Sequence, residues 1–158
     1  MTKNDLYELL NRNGVPYEVT EHAPVFTIEE MLAADLPHPE IIAKNLFVRD
    51  DKKRAWFLIT VKEDRRVNLR EFQERFSTRK LSFASENDLS EILGLSRGSV
   101  TPFGLLNDAE RTVRFFIDKD LAAGKLGIHP LENTATVWIR GADLVALIRE
   151  HGNEITEF

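Results

Sequence analysis

The stretch Ala55-Trp56-Phe57-Leu58-Ile59-Thr60-Val61 is apolar at nearly every position. A short apolar run without alternation is typical of a strand that is covered on both faces, so it predicts the centre of a sheet. The preceding residues, 41–49, have the composition of a second strand, and the charged turn Asp50–Arg54 connects the two. The sequence therefore predicts a hairpin whose second strand is buried.

Outward from this hairpin, helices and strands are predicted in no regular alternation. Thr27 and Glu30 form a capping-box pattern, and Asn68 is a favourable N-cap residue. We expect helices over 4–13, 27–36, 68–76, 85–94 and 142–150, and further strands over 15–20, 80–83, 112–118 and 134–140. This order favours an α+β fold with a mixed sheet. A length of 158 residues predicts one domain, residues 1–158.

Composition excludes several classes of protein. The chain contains no cysteine, which excludes disulfide frameworks, thiolate metal sites and cysteine nucleophiles. No apolar run reaches the ~18 residues that span a bilayer, and the N-terminal residues lack the apolar core of a signal peptide. We therefore expect a cytoplasmic protein that makes no contact with membranes.

The net charge of −5 hides an uneven distribution. Residues 44–80 contain 12 Lys/Arg and 6 Asp/Glu, whereas the remainder contains 9 and 20. A basic segment in an acidic protein can bind a polyanion while the whole stays soluble, although such a run can also be an ordinary solvated face. If the segment binds phosphates, Lys80 at its end is one of the expected contacts.

The loop Arg97–Gly104 contains two glycines and a proline in the order Gly-x-x-x-Pro-x-Gly. Glycine allows close approach of a ligand and proline fixes the backbone, so such a loop can point N–H groups at a small polar substrate. An ordinary connecting loop is the alternative. The candidate substrate-binding residues of this loop are Gly98, Ser99, Val100, Thr101, Pro102 and Gly104.

Two further residues are candidates for chemistry. Lys44 begins a predicted strand and shares its more apolar face with Leu46 and Val48, so its ammonium group can point into a pocket and meet an oxygen atom of a substrate. His129 lies between Gly127 and Pro130, where its imidazole can orient a water molecule or a carbonyl group. A lysine that covers the core with its stem and a histidine that only completes a turn remain the alternatives.

Two other site types are disfavoured. The remaining histidines make no metal-ligand spacing with His129, so we expect no metal ion and no cofactor. Residues 94–98 match the Gly-x-Ser-x-Gly pattern of a nucleophile elbow, which requires a strand before the turn and a helix after it. Here a helix precedes the turn, and Gly94 has the position of its C-cap.

Four motifs together resemble the YbaK/ProX superfamily, in the branch of free-standing prolyl-tRNA editing proteins. Each motif is weak alone, but they occur in the family's order and spacing over nearly the whole chain. They are Lys44–Phe47, Leu81–Phe83, Gly98–Leu105 and His129–Thr136. The resemblance implies an α+β fold with a mixed, barrel-like β-sheet flanked by helices, and it places Lys44, Asn45 and His129 at the family's functional positions.

The resemblance also implies an activity, the hydrolysis of alanine from mischarged tRNA(Pro). Asn45 favours the alanine-specific branch, because the cysteine-clearing branch typically has a small hydroxyl residue there. The implied partners are the acceptor end of tRNA(Pro) and prolyl-tRNA synthetase. Two alternatives stay open: a deacylase for Cys-tRNA(Pro) or another mischarged tRNA, and a non-catalytic module that binds tRNA or a synthetase.

Overall fold

The computed structural model describes residues 1–158, apart from the side chain of Leu32. The helices are α1 (Lys3–Arg12), α2 (Ile28–Ala33), α3 (Leu69–Phe76), α4 (Glu86–Asp88), α5 (Lys119–Ala123) and α6 (Gly141–His151). The strands are β1 (Tyr17–Glu21), β2 (Ala43–Asp50), β3 (Trp56–Lys62), β4 (Leu81–Phe83), β5 (Val113–Ile117), β6 (Lys125–Ile128), β7 (Ala135–Arg140) and β8 (Ile155–Glu157). A π-helical turn, Leu89–Leu93, extends α4, and two 3₁₀ segments cover Pro39–Ile41 and Pro102–Asn107.

Strand β3 is the middle strand of a five-stranded sheet with the order β4-β2-β3-β5-β8. The β2–β3 and β2–β4 pairs are antiparallel, and the β3–β5 and β5–β8 pairs are parallel. Leu58 packs into one core with Phe103 and Phe115, while Phe57 and Ile59 pack on the other face. The predicted mixed sheet, the hairpin and the burial of its second strand on both faces are confirmed.

The other three strands form a separate antiparallel sheet with the order β1-β7-β6. Among the described residues, a single parallel bridge between Ile42 and Gly127 connects the two sheets. The α+β class is confirmed, but the barrel does not close. Strand β6 ends at Ile128, and Pro130 follows two residues later without an N–H to continue a ladder.

The predicted N-caps Thr27 and Asn68 are confirmed, but the capping box at Thr27 is incomplete, because the Glu30 carboxylate accepts from the amide of Phe26 and not from that of Thr27. Thr27 Oγ1 accepts a hydrogen bond from the Glu30 amide, and Asn68 Oδ1 accepts from the amides of Arg70 and Glu71. Three elements were not predicted, namely α5, β6 and β8. No helix in the described part of the chain is both long and apolar enough to cross a membrane.

The arrangement of β2 positions the site described next. Strand β2 pairs with β3 along residues 43–49, whereas β4 reaches only Val48–Asp50. Between the Ile42 bridge and β4, β3 is therefore the only strand that pairs with β2 among the described residues. This stretch of β2 is open to form the wall of a cavity.

Candidate active site

A cavity of about 220 Å³ lies where the two sheets meet. Four segments of the chain form its wall: the start of β2, the end of β6, the Gly98 loop and the residues around the start of α2. The lining residues are Val25, Phe26, Thr27, Ile28, Met31, Ala43, Lys44, Asn45, Gly98, Val100, Gly127, Ile128 and His129. The three residues expected at the functional positions, Lys44, Asn45 and His129, are thus brought to one cavity.

Lys44 is the only charged residue among the described residues that line this cavity, since His129 is neutral as shown below. Its side chain is half-buried, and Nζ donates a hydrogen bond to the carbonyl oxygen of Arg65 at 2.5 Å. An ammonium group has three hydrogens, so this bond leaves two for a substrate. The partner is a neutral carbonyl, and therefore the positive charge of Lys44 is not cancelled by it.

The residue that supports Lys44 is itself fixed. The Arg65 guanidinium donates from Nη1 to Asp118 Oδ2 at 2.7 Å and lies 4.5 Å from the centre of the Phe158 ring. The Asp118 side chain is only 8% exposed. Hydrogen bonds to charged groups and cation–π contacts are stronger when they are removed from water, so Arg65 and its carbonyl are held in place.

Asn45 is oriented by the neighbouring strand. The hydroxyl of Thr60, which is fully buried, donates to Asn45 Oδ1 at 2.6 Å. Thr60 is the direct cross-strand partner of Asn45 in the β2–β3 ladder. With its oxygen engaged by this bond, the Asn45 side chain presents its NH₂ group as a donor.

His129 is held as a neutral ring by its surroundings. Burial lowers the pKa of this histidine from its ordinary value of 6.5, outweighing the opposite effect of its backbone hydrogen bond, and the nearby His22 lowers it further. Nδ1 lies 3.0 Å from the carbonyl oxygen of Ala135, which can only accept, so the proton of the neutral ring is on Nδ1. Nε2 is then the unprotonated nitrogen and can accept a hydrogen bond from water or substrate.

The Gly98 loop contributes two of its six candidate residues to the cavity, Gly98 and Val100. Among the described residues, neither of their amides donates to a protein acceptor. The other four are buried and outside the lining: Ser99, Thr101, Pro102 and Gly104. The Gly104 amide is already used by the Thr101 carbonyl, and a Cβ at Gly104 would lie 2.6 Å from the side chain of Leu95. Those residues shape the loop.

Lys80 lies apart from the cavity. Its neighbour Leu81 pairs with Asp50 at the far end of β2, six residues and so about 20 Å from Lys44. Lys80 is exposed. Because it lies so far from Lys44, the predicted contact is with the body of the tRNA and not with its esterified end, and it stays a prediction. In the same basic segment, Arg79 binds Asp51 through two hydrogen bonds, and Lys53 lies 3.7 Å from Asp88. Part of the positive charge of this segment is thus neutralised within the protein.

The wall formed by residues 25–31 was not predicted from the sequence. Asn133 holds this wall at Val25. Its side-chain NH₂ donates to the Val25 carbonyl at 2.8 Å, and its backbone carbonyl accepts from the Val25 amide. Phe26 projects at the rim with 63% of its side chain exposed. The only local sign that this segment forms a cavity wall is the apolar residue Phe26 next to the capping residue Thr27.

Other chemistries find little support in the geometry. Gly94 ends the π-helical turn with φ +64°, so the Gly-x-Ser-x-Gly match follows a helix, as predicted, and is no nucleophile elbow. The described residues contain no group of three or more His, Cys, Asp or Glu side chains that could hold a metal ion. The cavity offers one cation, the backbone amides of Gly98 and Val100, the Asn45 NH₂ group and one neutral imidazole. These groups suit a substrate whose carbonyl oxygen gains negative charge during reaction.

Comparison with known proteins gives consistent relatives. Residues 22–147 match the family model of the aminoacyl-tRNA editing domain. The chain is 40% identical over 145 residues to the prolyl-tRNA editing protein ProX of Acetoanaerobium sticklandii, covering 91% of this chain and 88% of that protein. It is 36% identical over 151 residues to prolyl-tRNA synthetase associated domain-containing protein 1 of Danio rerio, covering 94% and 82%. The crystal structure of a candidate trans-editing enzyme for prolyl tRNA synthetase has a TM-score of 0.71 at 19% identity, covering 98% and 94%, and shares the fold.

Proposed function

The chain belongs to the aminoacyl-tRNA editing domain family, and from this premise we propose that it is a trans-editing deacylase that hydrolyses Ala-tRNA(Pro). The name of its relative in Acetoanaerobium sticklandii supports prolyl-tRNA editing as the process. The observation that carries the proposal is the meeting of Lys44, Asn45 and a neutral His129 at one small cavity. Its partners are then the acceptor end of tRNA(Pro) and, by docking, prolyl-tRNA synthetase.

In this proposal the reaction is addition of water to the ester carbonyl carbon. The bond from that carbon to the ribose oxygen then breaks, which releases the free amino acid and the tRNA hydroxyl. An aminoacyl ester is already activated, so positioning and electrostatic stabilisation suffice and no protein nucleophile is required.

Each polar group of the cavity has a role in this step. Nε2 of His129 accepts a hydrogen bond from the attacking water, and this requires the unprotonated ring. The free hydrogens of Lys44 stabilise the negative charge that develops on the ester oxygen or bind the terminal phosphate. The amides of Gly98 and Val100 hold the carbonyl or the ribose, and the Asn45 NH₂ group is a further donor to the ester.

Selection of the amino acid rests on size. A small cavity rejects a larger ring more strongly than it rewards one methyl group, so alanine is accepted and proline is excluded. We expect hydrolysis of Ala-tRNA(Pro) and no comparable hydrolysis of correctly charged Pro-tRNA(Pro).

A deacylation panel tests the proposal. Purified protein is incubated separately with Ala-, Cys- and Pro-tRNA(Pro), and release of the amino acid is measured. Preferred release of alanine supports the proposal. Preferred release of cysteine assigns the protein to the alternative deacylase class, and tRNA binding without any release makes it a binding module.

A further inference from the structure

Phe83 is one of the two most exposed large apolar side chains in the described part of the protein, with 63% of its surface accessible. It lies at the end of β4, where the next residue, Ala84, donates its amide to the Phe47 carbonyl. A ring this exposed gains free energy when a flat apolar partner covers it. Its position next to the candidate active site indicates what the occupant is.

Phe83 lines a second cavity, of about 400 Å³, that lies next to the first. The two cavities share three lining residues, Asn45, Gly98 and Val100. Phe83 is directly opposite Val48 in the β2–β4 ladder, three residues and so about 10 Å along β2 from Asn45. This second cavity, here called the groove, therefore adjoins the candidate active site at Asn45, Gly98 and Val100 and has Phe83 in its wall.

We propose that this groove binds the single-stranded 3′ end of the tRNA and that Phe83 stacks on a base next to the esterified nucleotide. The inference rests on the proposed function, because an aminoacyl ester in the first cavity must have its nucleotides leave along an adjoining surface. The groove is such a surface, and it shares its walls with the first cavity.

The chemistry of the groove favours stacking over electrostatic attraction. Arg97 at its edge has an 83% exposed side chain, but its guanidinium lies 3.5 Å from Glu86, so the local charge is nearly balanced. Every nucleobase has an aromatic face, and single-stranded RNA is recognised largely by stacking on exposed aromatic side chains. A flat ring beside a balanced ion pair suits a base better than a phosphate.

The test measures binding of uncharged RNA, so that it does not depend on catalysis. The probe is a fluorescent RNA hairpin that mimics the acceptor stem with a single-stranded 3′ overhang, and a blunt hairpin without the overhang is the control probe. Phe83→Ala is expected to weaken overhang binding by about 5- to 100-fold, as loss of one stacked base does. Blunt-hairpin binding is expected to be unchanged.

Two further readouts separate stacking from a general effect. Phe83→Ala is expected to lower the affinity equally at every salt concentration, because stacking releases no counterions, whereas loss of a phosphate contact reduces the salt dependence. Phe83→Tyr is expected to retain binding. Val19→Ala, which removes part of a 38% exposed apolar side chain on the other sheet, is the matched control and is expected to bind like the wild type.

The outcomes distinguish this inference from the proposed function. Equal binding of the overhang hairpin by wild type and Phe83→Ala, no binding by the wild type, or a loss that extends to the blunt hairpin overturns the inference. If Phe83→Ala weakens binding only to a protein partner such as a synthetase, and not to the RNA, the inference is also overturned. Overhang binding that depends on Phe83 supports the inference about the groove, whether or not the protein hydrolyses any aminoacyl-tRNA. A lack of hydrolysis rejects the proposed function and leaves the inference standing.

Discussion

Gly98→Ala tests how closely the cavity wall is fitted. Gly98 has φ +85°, in the left-handed region, and a Cβ there would lie 2.7 Å from Cδ1 of Phe26 and 3.4 Å from its Cα. A side chain in the left-handed region costs about 1–2 kcal/mol. The contact with Phe26 comes in addition.

The contact with Phe26 is expected to displace the cavity wall while adding little to the loss of folding free energy. Ordinary van der Waals contact begins near 3.4 Å, so the ring must move by about 0.7 Å. Because the ring is 63% exposed, it can turn towards solvent at little cost in folding free energy. A misplacement approaching 1 Å at a reacting centre can cost about 10²-fold in rate, so we expect kcat/KM for deacylation to fall by about 10- to 100-fold.

Gly14→Ala is the matched control. Gly14 has φ +64°, and a Cβ added there would meet no atom within 4 Å, so the variant carries the backbone strain without the contact. Each variant is expected to lower Tm by about 2–8 °C, from a Tm change of ~2–4 °C per kcal/mol in a domain of this size. Only Gly98→Ala is expected to lose deacylation. Equal kcat/KM for both variants would refute the reasoning, since strain alone would then account for the change.

Three other predictions concern the polar groups of the cavity. Lys44→Ala is expected to reduce deacylation by at least ~10²-fold with little change in Tm, and near-normal turnover in that variant would end the assigned role. The lowered pKa of His129 keeps the ring neutral at pH 7, so the deacylation rate should be level above pH 6.5 and fall only on acidification below it; a rate that falls on raising the pH contradicts the role of Nε2. The same shift means that the unfolded chain binds the proton first, so the contribution of His129 to the free energy of unfolding should decrease as the pH falls from 6.5 towards the folded-state pKa, and this contribution should level off below it.

The fold elements that could be predicted are those with a local pattern. The apolar run 55–61 and the Asn68 cap carry their information within a few residues, and both were located within one or two residues. Strand β8 has only three residues, and its pairing of Ile155 with Phe115 joins positions forty residues apart. Such a strand is stabilised by its partner and not by its own composition, which is why the sequence alone did not reveal it.

The separation of the two sheets depends on a similar long-range effect. A closed barrel requires β6 to pair along β2, but the ladder stops at the single contact between Ile42 and Gly127. The Gly127–Pro130 stretch was recognised as a constraint on His129, yet its effect on sheet closure depends on where β2 lies. Likewise, Val25 reaches the cavity only because Asn133, far along the chain, holds both of its backbone groups.

The support of the cavity explains how an acidic protein can receive an anionic substrate at a defined place. Asp118 participates in the positioning of Lys44 and Asn45, the two polar residues of β2 that line the cavity. Its carboxylate binds Arg65, whose carbonyl holds Lys44, and its amide donates to the carbonyl of Thr60, whose hydroxyl orients Asn45. In this arrangement the carboxylate neutralises Arg65 and leaves the charge of Lys44 uncompensated. The net charge of −5 opposes loose binding of a polyanion elsewhere. In the proposed function, half-buried Lys44, the only charged residue among the described residues that line the cavity, attracts a phosphate or a developing oxyanion. In the proposed function, the position of the esterified tRNA end therefore depends on the pairing of Asp118 with Arg65 as much as on the position of Lys44.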